Sequence, residues 1–147
     1  GLLSAGQDFT NETNPFTVGL GRFVDLEKDD FIGKEALLNA DKKCRSWGIR
    51  VVDGIAKKGR SIKLNNQYIG KVTSTTWSPY QVCGVGIVLL DKSNIGPGTL
   101  VEVECTDEKI HKAEICKLPM YDLNGEIVRG IKKDIPTQPK PWPGIKS

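Results

Sequence analysis

The stretch with the clearest chemical potential is a strand-like run, residues 70–79, that ends in an aromatic residue and a proline. The Val and Thr side chains of this run favour a pleated strand, and Pro79 ends it because proline has no N–H to donate. Trp77 carries a large apolar ring with one N–H donor. An indole at a strand end can hold a flat ligand or plug a core, and the residues leave both interpretations open.

The other reactive side chains are scattered along the sequence. His111 is the single histidine and stands at a predicted hairpin, where a surface position is the simplest interpretation. The cysteines Cys44, Cys83, Cys105 and Cys116 include no C-x-x-C pair, which argues against a zinc cluster. No nucleophile elbow or phosphate-binding glycine loop occurs. The residues therefore predict no catalytic constellation and no metal site. They indicate a fragment of a larger protein.

Composition limits the class of protein. A length of 147 residues fits one domain, or one domain and a piece of another. The formal charge of +3 comes from cations interleaved with acids, which predicts no nucleic-acid partner. No apolar stretch approaches the roughly 20 residues of a membrane helix. Because no signal peptide is visible, we expect reduced thiols in a cytoplasmic protein, although a start without Met suggests a cut through a longer sequence.

Periodicity predicts a mainly β chain with a short helix. The helix is expected from Lys34 to about Lys43, with two short strands before it at residues 16–20 and 22–26. From Ser46 onward, short strands alternate with turn signals, as in a small barrel or sandwich. The expected strands are residues 47–52, 61–64, 67–76, 83–90, 99–105 and 112–118. Turns are expected at residues 65–66 and 107–109.

The last two predicted strands alternate most clearly between apolar and charged residues. This alternation implies one buried face per strand. The positions expected to face the core are Val101, Val103, Cys105, Ala113 and Ile115.

Residues 122–147 are predicted to be a tail. Prolines at positions 136, 139, 141 and 143 favour an extended, polyproline-like end. Trp142 and Ile145 are expected to pack back onto the body of the protein, or the end stays loose. A proline-rich ligand for a small adaptor domain is the alternative.

Four motifs in order resemble the aminomethyltransferase family, the T-protein of the glycine cleavage system and its relatives. Residues 14–24 include NPF and GLGRFV, and residues 30–37 are DFIGKEAL. Residues 70–79 are GKVTSTTWSP, and residues 117–121 are KLPMY. The relatives include dimethylsulfoniopropionate demethylase and the folate domains of dimethylglycine and sarcosine dehydrogenases. Leu3-Ser4 and residues 14–16 lean towards these demethylating branches.

The resemblance implies a fold and a division of the chain. Residues 1–45 would be the C-terminal end of an α+β folate-binding domain, and residues 46–121 a six-stranded Greek-key β-barrel. Residues 122–147 lie outside the resemblance. Ala5 stands where the family usually carries an aromatic, so folate packing is expected to differ there.

The resemblance also implies a function for the parent protein. Members bind tetrahydrofolate and move a one-carbon unit onto it from a small amine or sulfonium compound. The acid that assists this step lies before Gly1, so the fragment alone is expected to lack it. By position, Tyr121 is a candidate for folate binding, and Trp77 is a looser one. The implied partners are the upstream folate-binding domain of the same polypeptide and, in glycine cleavage, a lipoyl carrier protein.

Two other hypotheses remain beside this one. A non-catalytic binding or regulatory module could keep the barrel and lose the chemistry. Small barrels also bind RNA, but the near-balanced charge and the absence of a basic, aromatic strand face count against that function.

Overall fold

Six antiparallel strands close into a barrel in a computed structural model that describes residues 3–134 and 136–145. The order around the barrel is β1-β4-β3-β2-β5-β6. The strands are β1 (Ser46–Val51), β2 (Ser61–Leu64), β3 (Gln67–Ser78), β4 (Cys83–Leu90), β5 (Leu100–Glu104) and β6 (Ile110–Cys116). Because β1 lies beside β4 and β6 and not beside β2, the connection is a Greek key. The predicted mainly β fold with a six-stranded barrel is confirmed.

Side chains alternate along the strands, and those on the inner face fill the barrel interior. The five residues predicted to face the core on the last two strands are all buried, at 0–3% exposure. Ile49 and Val51 from β1 and Ile62 from β2 join them with no exposed surface. Removal of this apolar surface from water is the main force that holds the barrel together.

The hairpin turns follow the residues predicted for them. Asn65 and Asn66 have φ angles of 50° and 63°, which asparagine tolerates and a two-residue hairpin requires. In the turn between β5 and β6, Glu108 has a φ of 63°. The strand predicted over residues 112–118 begins earlier, at Ile110, and ends at Cys116.

The two short strands predicted before the helix are wrong. Residues 15–19 form turns, and Gly21–Phe23 is a 3-10 helix. The Asn14 side-chain oxygen accepts the Thr17 N–H at 2.9 Å, and the Leu20 N–H donates to the Pro15 carbonyl at 2.8 Å. These local hydrogen bonds use backbone groups that a strand would offer to a neighbour.

The predicted helix is present but shorter than expected. Helix α1 (Lys34–Asn39) ends where Ala40 turns to an extended conformation, and it buries none of its residues. The apolar face of the helix, which was expected to pack, is therefore not buried by the described residues, and Leu38 is 48% exposed. No helix in the described residues is both long enough and apolar enough to cross a bilayer.

The N-terminal segment is fixed to the barrel by a buried carboxylate. Asp8 is 2% exposed, and its Oδ2 accepts the Ser4 N–H at 2.9 Å. Its Oδ1 accepts the hydroxyl of Thr73, which comes from β3. The pairing of β3 with β4 shifts register between Val72 and Ser74, so Thr73 sits at a bulge. The bulge places the Thr73 hydroxyl, rather than a backbone N–H or carbonyl group, at the contact with the N-terminal segment.

Thr73→Val tests this contact, because it keeps the side-chain shape and removes the hydroxyl. Asp8 Oδ1 then stays buried without its donor, and we expect the free energy of unfolding to fall by about 1–3 kcal/mol in urea denaturation. Thr75→Val is the matched control, since the Thr75 hydroxyl bonds only the Val85 carbonyl at a half-buried position. Equal losses of unfolding free energy in the two variants would show that the Thr73–Asp8 hydrogen bond stabilises the fold no more than the Thr75–Val85 hydrogen bond does.

Candidate functional site

A polar network at one end of the barrel joins three parts of the chain. Arg50 points outward from β1, between the buried Ile49 and Val51. Its Nε donates to Gln81 Oε1 at 2.9 Å, and one Nη donates to the Met120 carbonyl at 3.2 Å. The Gln81 amide donates to the same carbonyl at 2.9 Å. The network fixes the loop between β3 and β4, and the segment after β6, against β1.

Tyr121 follows directly from this network. Its ring meets the ring of Tyr80 edge to face, with centroids 4.8 Å apart and planes at 62°. Such a pair is a preferred aromatic geometry and orients both rings. Partial desolvation raises the pKa of Tyr121, with smaller contributions from Tyr80 and Asp122. The Tyr121 phenol is protonated at neutral pH, as an ordinary tyrosine is, and can donate a hydrogen bond, and 42% of the residue's surface is exposed.

Two open clefts meet at Tyr121. One has a volume of about 790 Å³ and the other about 740 Å³. Both fall within the range of roughly 300–1,000 Å³ that is usual for small-molecule sites. The residues that line both clefts are Gln81, Met120, Tyr121, Asp122 and Leu123. Tyr121 thus stands on the ridge between two spaces large enough for a cofactor.

Trp77 occupies a different place from Tyr121. It lies near the end of β3, opposite Gly84 of β4, with 43% of its surface exposed. A side chain at position 84 would collide with the Gly54 carbonyl, so glycine is required where the backbones approach. Trp77 lines neither of the two clefts. The structure does not bring the two predicted residues into a common cleft, and Trp77 is not a buried core plug.

Sequence reasoning missed Arg50 and Gln81. Arg50 did carry a signal, because it is a lone cation inside an otherwise uncharged strand. Gln81 carried no such signal, since a loop glutamine is ordinary.

Within the described ranges, no three His, Cys, Asp or Glu side chains converge as a metal site would require.

His111 lies away from the clefts, in the hairpin that joins β5 to β6. Its Nδ1 is 3.0 Å from the Val52 carbonyl, and its Nε2 is 2.9 Å from Asp107 Oδ2. Both ring nitrogens therefore face hydrogen-bond acceptors. The histidine ties the hairpin to the end of β1 and has a structural role.

The family that matches this chain is the glycine cleavage T-protein C-terminal barrel domain, over residues 45–122. This match covers more than half of the sequence. The chain belongs to the glycine cleavage T-protein family. The predicted membership of the T-protein family is confirmed, and the matched residues include the barrel and Tyr121. The tail beyond residue 122 lies outside the match.

Relatives and a solved structure agree with this membership. The chain is 38% identical over 127 residues to an aminomethyltransferase of Prochlorococcus marinus, covering 82% of this chain and 34% of the relative. It is 34% identical to an aminomethyltransferase of Bacillus subtilis, covering 79% of this chain and 33% of that protein.

The solved structure is that of the glycine cleavage system aminomethyltransferase T from Bartonella henselae. It matches with a TM-score of 0.67 and 25% identity, over 80% of this chain and 35% of that chain. This chain therefore spans about a third of the length of the curated relatives and of the solved structure it matches.

The contact between His111 and Asp107 predicts a pH dependence of stability. The hydrogen bond from His111 lowers the pKa of Asp107 below its ordinary 3.8. A lowered carboxyl pKa stabilises the fold at all pH values above about 3.8, and this contribution is lost as the pH falls through the lower folded value. We therefore expect Asp107→Asn to lose stability less steeply than the wild type when the pH is lowered through and below this range.

The measurement is urea denaturation at a series of pH values from neutral to acid. Asp41→Asn is the matched control, because Asp41 accepts the N–H two residues on, as Asp107 does, but has no histidine partner. Parallel acid profiles for wild type and Asp107→Asn would contradict the assignment.

Proposed function

We propose that this chain is the C-terminal part of a tetrahydrofolate-dependent aminomethyltransferase, which moves a one-carbon unit from an amine onto folate. The observation that carries the proposal is the position of Tyr121. It is a half-exposed phenol, held by Tyr80, on the ridge between two clefts of a T-protein barrel. Folate binding by the parent protein is the expectation that this position supports.

The chemistry of tetrahydrofolate suits this end of the barrel. The pterin is flat and is best held by an aromatic face and fixed hydrogen-bond donors. Tyr121 offers both a ring and a phenol donor. Arg50 keeps further N–H groups beyond the two that bond Gln81 and Met120, and these two hydrogen bonds fix the position of its guanidinium.

We assign the acid that assists the transfer to a part of the protein outside this chain. The carboxylate nearest Tyr121 in sequence, Asp122, accepts the N–H groups of Glu126 and Ile127 at 2.8 and 3.0 Å and is committed to that turn. Asp8 is buried against Thr73. Neither of these two carboxylates is free to act on a ligand, and Glu114, the other acid that lines the larger cleft, lies opposite the Arg50 cation in the β1–β6 register.

The N-terminal segment supports a contact with an upstream folate-binding domain of the same polypeptide. Four of its apolar side chains are exposed, Leu20 at 39%, Phe23 at 71%, Ile32 at 104% and Leu38 at 48%. We propose that these exposed side chains belong to the surface that the upstream domain covers. Residues 1–45 would then complete that domain, and a lipoyl carrier protein would deliver the aminomethyl group.

The relatives reported above are all aminomethyltransferases, which favours an aminomethyl donor over a sulfonium or dimethylglycine donor. Leu3-Ser4 and residues 14–16 are the features that lean the other way. One-carbon transfer to tetrahydrofolate by the full-length polypeptide, assayed with both classes of donor, separates the two. Transfer from the sulfonium compound alone would assign the chain to a demethylase.

Tyr121→Ala in the full-length polypeptide tests the proposed site. Loss of the ring and the phenol should weaken tetrahydrofolate binding about five- to tenfold in calorimetric titration, with little change in melting temperature. Tyr68→Ala is the matched control, because Tyr68 is also exposed, at 53%, and lines neither cleft. Unchanged affinity in Tyr121→Ala would remove Tyr121 from the site.

A further inference from the structure

The proline-rich tail docks on the barrel through its backbone. Residues 139–145 form a segment without helix or strand, here called the strap. The Lys140 N–H donates to the Tyr80 carbonyl at 2.8 Å, and the Trp142 N–H donates to the Gln81 carbonyl at 2.7 Å. Tyr80 and Gln81 are the residues that hold Tyr121 and Arg50. The strap is therefore fixed to the same loop that organises the candidate site.

The alternation of prolines explains why the strap docks on one edge only. Prolines at positions 139, 141 and 143 have no N–H, so the donors at positions 140 and 142 lie on one side. The opposite edge has no donors at the proline positions and cannot extend the pairing. Proline also restricts the free segment to extended conformations, which lowers the entropy lost on docking.

The strap walls the larger cleft rather than filling it. A space of about 790 Å³ remains between the strap and the barrel, with Trp142 and Lys140 from the strap and Tyr80 and Tyr121 from the barrel among its lining residues. Trp142 is partly buried there. Three aromatic rings thus border one open space.

The charges around this cleft favour an anion. Its lining carries three cations, Arg50, Lys132 and Lys140, and two acids. Of the acids, Asp122 has both carboxylate oxygens occupied by backbone N–H groups. Glu114 lies opposite Arg50 in the β1–β6 register and offsets part of that charge. The two lysines that line the cleft are exposed to solvent and are accessible to a carboxylate.

We infer that the strap turns this cleft into a site for a flat ring that carries carboxylates. Trp142 and Tyr80 hold this ring, Lys140 and Lys132 bind the carboxylates, and Tyr121 remains with the pterin. The inference rests on the proposed function, in which this ligand is the aminobenzoyl-glutamate half of tetrahydrofolate. Trp142 and Lys140 then add a folate-binding wall beyond the part of the chain that matches the family.

The test uses a probe that lacks the pterin, p-aminobenzoylglutamate, titrated into this chain at low ionic strength with calorimetric detection. Trp142→Ala and Lys140→Ala should each weaken its binding about fivefold, and added salt should weaken it further. Both residues dock through backbone N–H groups, so these substitutions leave the strap hydrogen bonds in place. Lys63→Ala, a lysine that does not line this cleft, should bind the probe as the wild type does.

The outcomes separate this inference from the proposed function. Probe binding that depends on Trp142 and Lys140 supports the strap site, even if the full-length polypeptide fails to transfer a one-carbon unit to tetrahydrofolate. Transfer that succeeds while the two variants bind the probe as tightly as the wild type overturns the strap site alone. Failure of the wild type to bind the probe also overturns it.

Discussion

The closure of the barrel by β1 is the constraint on which the rest of the structure depends. This strand pairs with β4 on one edge and with β6 on the other, so both of its edges are used. Side chains alternate between the two faces of the strand, and Ile49 and Val51 face the interior, where both are fully buried. Arg50, between them, must face outward. The closure that seals the core therefore also places a cation at the end of the barrel, beside the aromatic pair.

Much of the barrel could be predicted from the sequence, because its signals are local. A period of two between apolar and polar residues locates the strands, and paired asparagines locate a hairpin. The strands expected at residues 16–20 and 22–26 failed because the Asn14 side chain captures a backbone N–H locally. The contact between Asp8 and Thr73 joins residues 65 positions apart, and no local pattern reveals it.

The candidate site was predictable only in part. The motif at residues 117–121 pointed to Tyr121, and the structure places it between two clefts. Its neighbours could not be found this way, since Arg50 and Gln81 meet at a backbone carbonyl of Met120. The strap was expected to pack back or stay loose, and it docks through backbone groups that every non-proline residue has. Composition alone does not say where such a segment binds.

We propose that one end of this T-protein barrel carries part of a tetrahydrofolate site. The most direct test is nuclear magnetic resonance titration of the isotopically labelled chain with tetrahydrofolate, following each backbone amide signal. We expect the largest shifts at Gln81, Tyr121 and Trp142, because they border the same cleft. Amide signal shifts confined to the cleft that Lys63 and Glu102 line would contradict this proposal. The absence of any shift at the highest tetrahydrofolate concentration would contradict it as well.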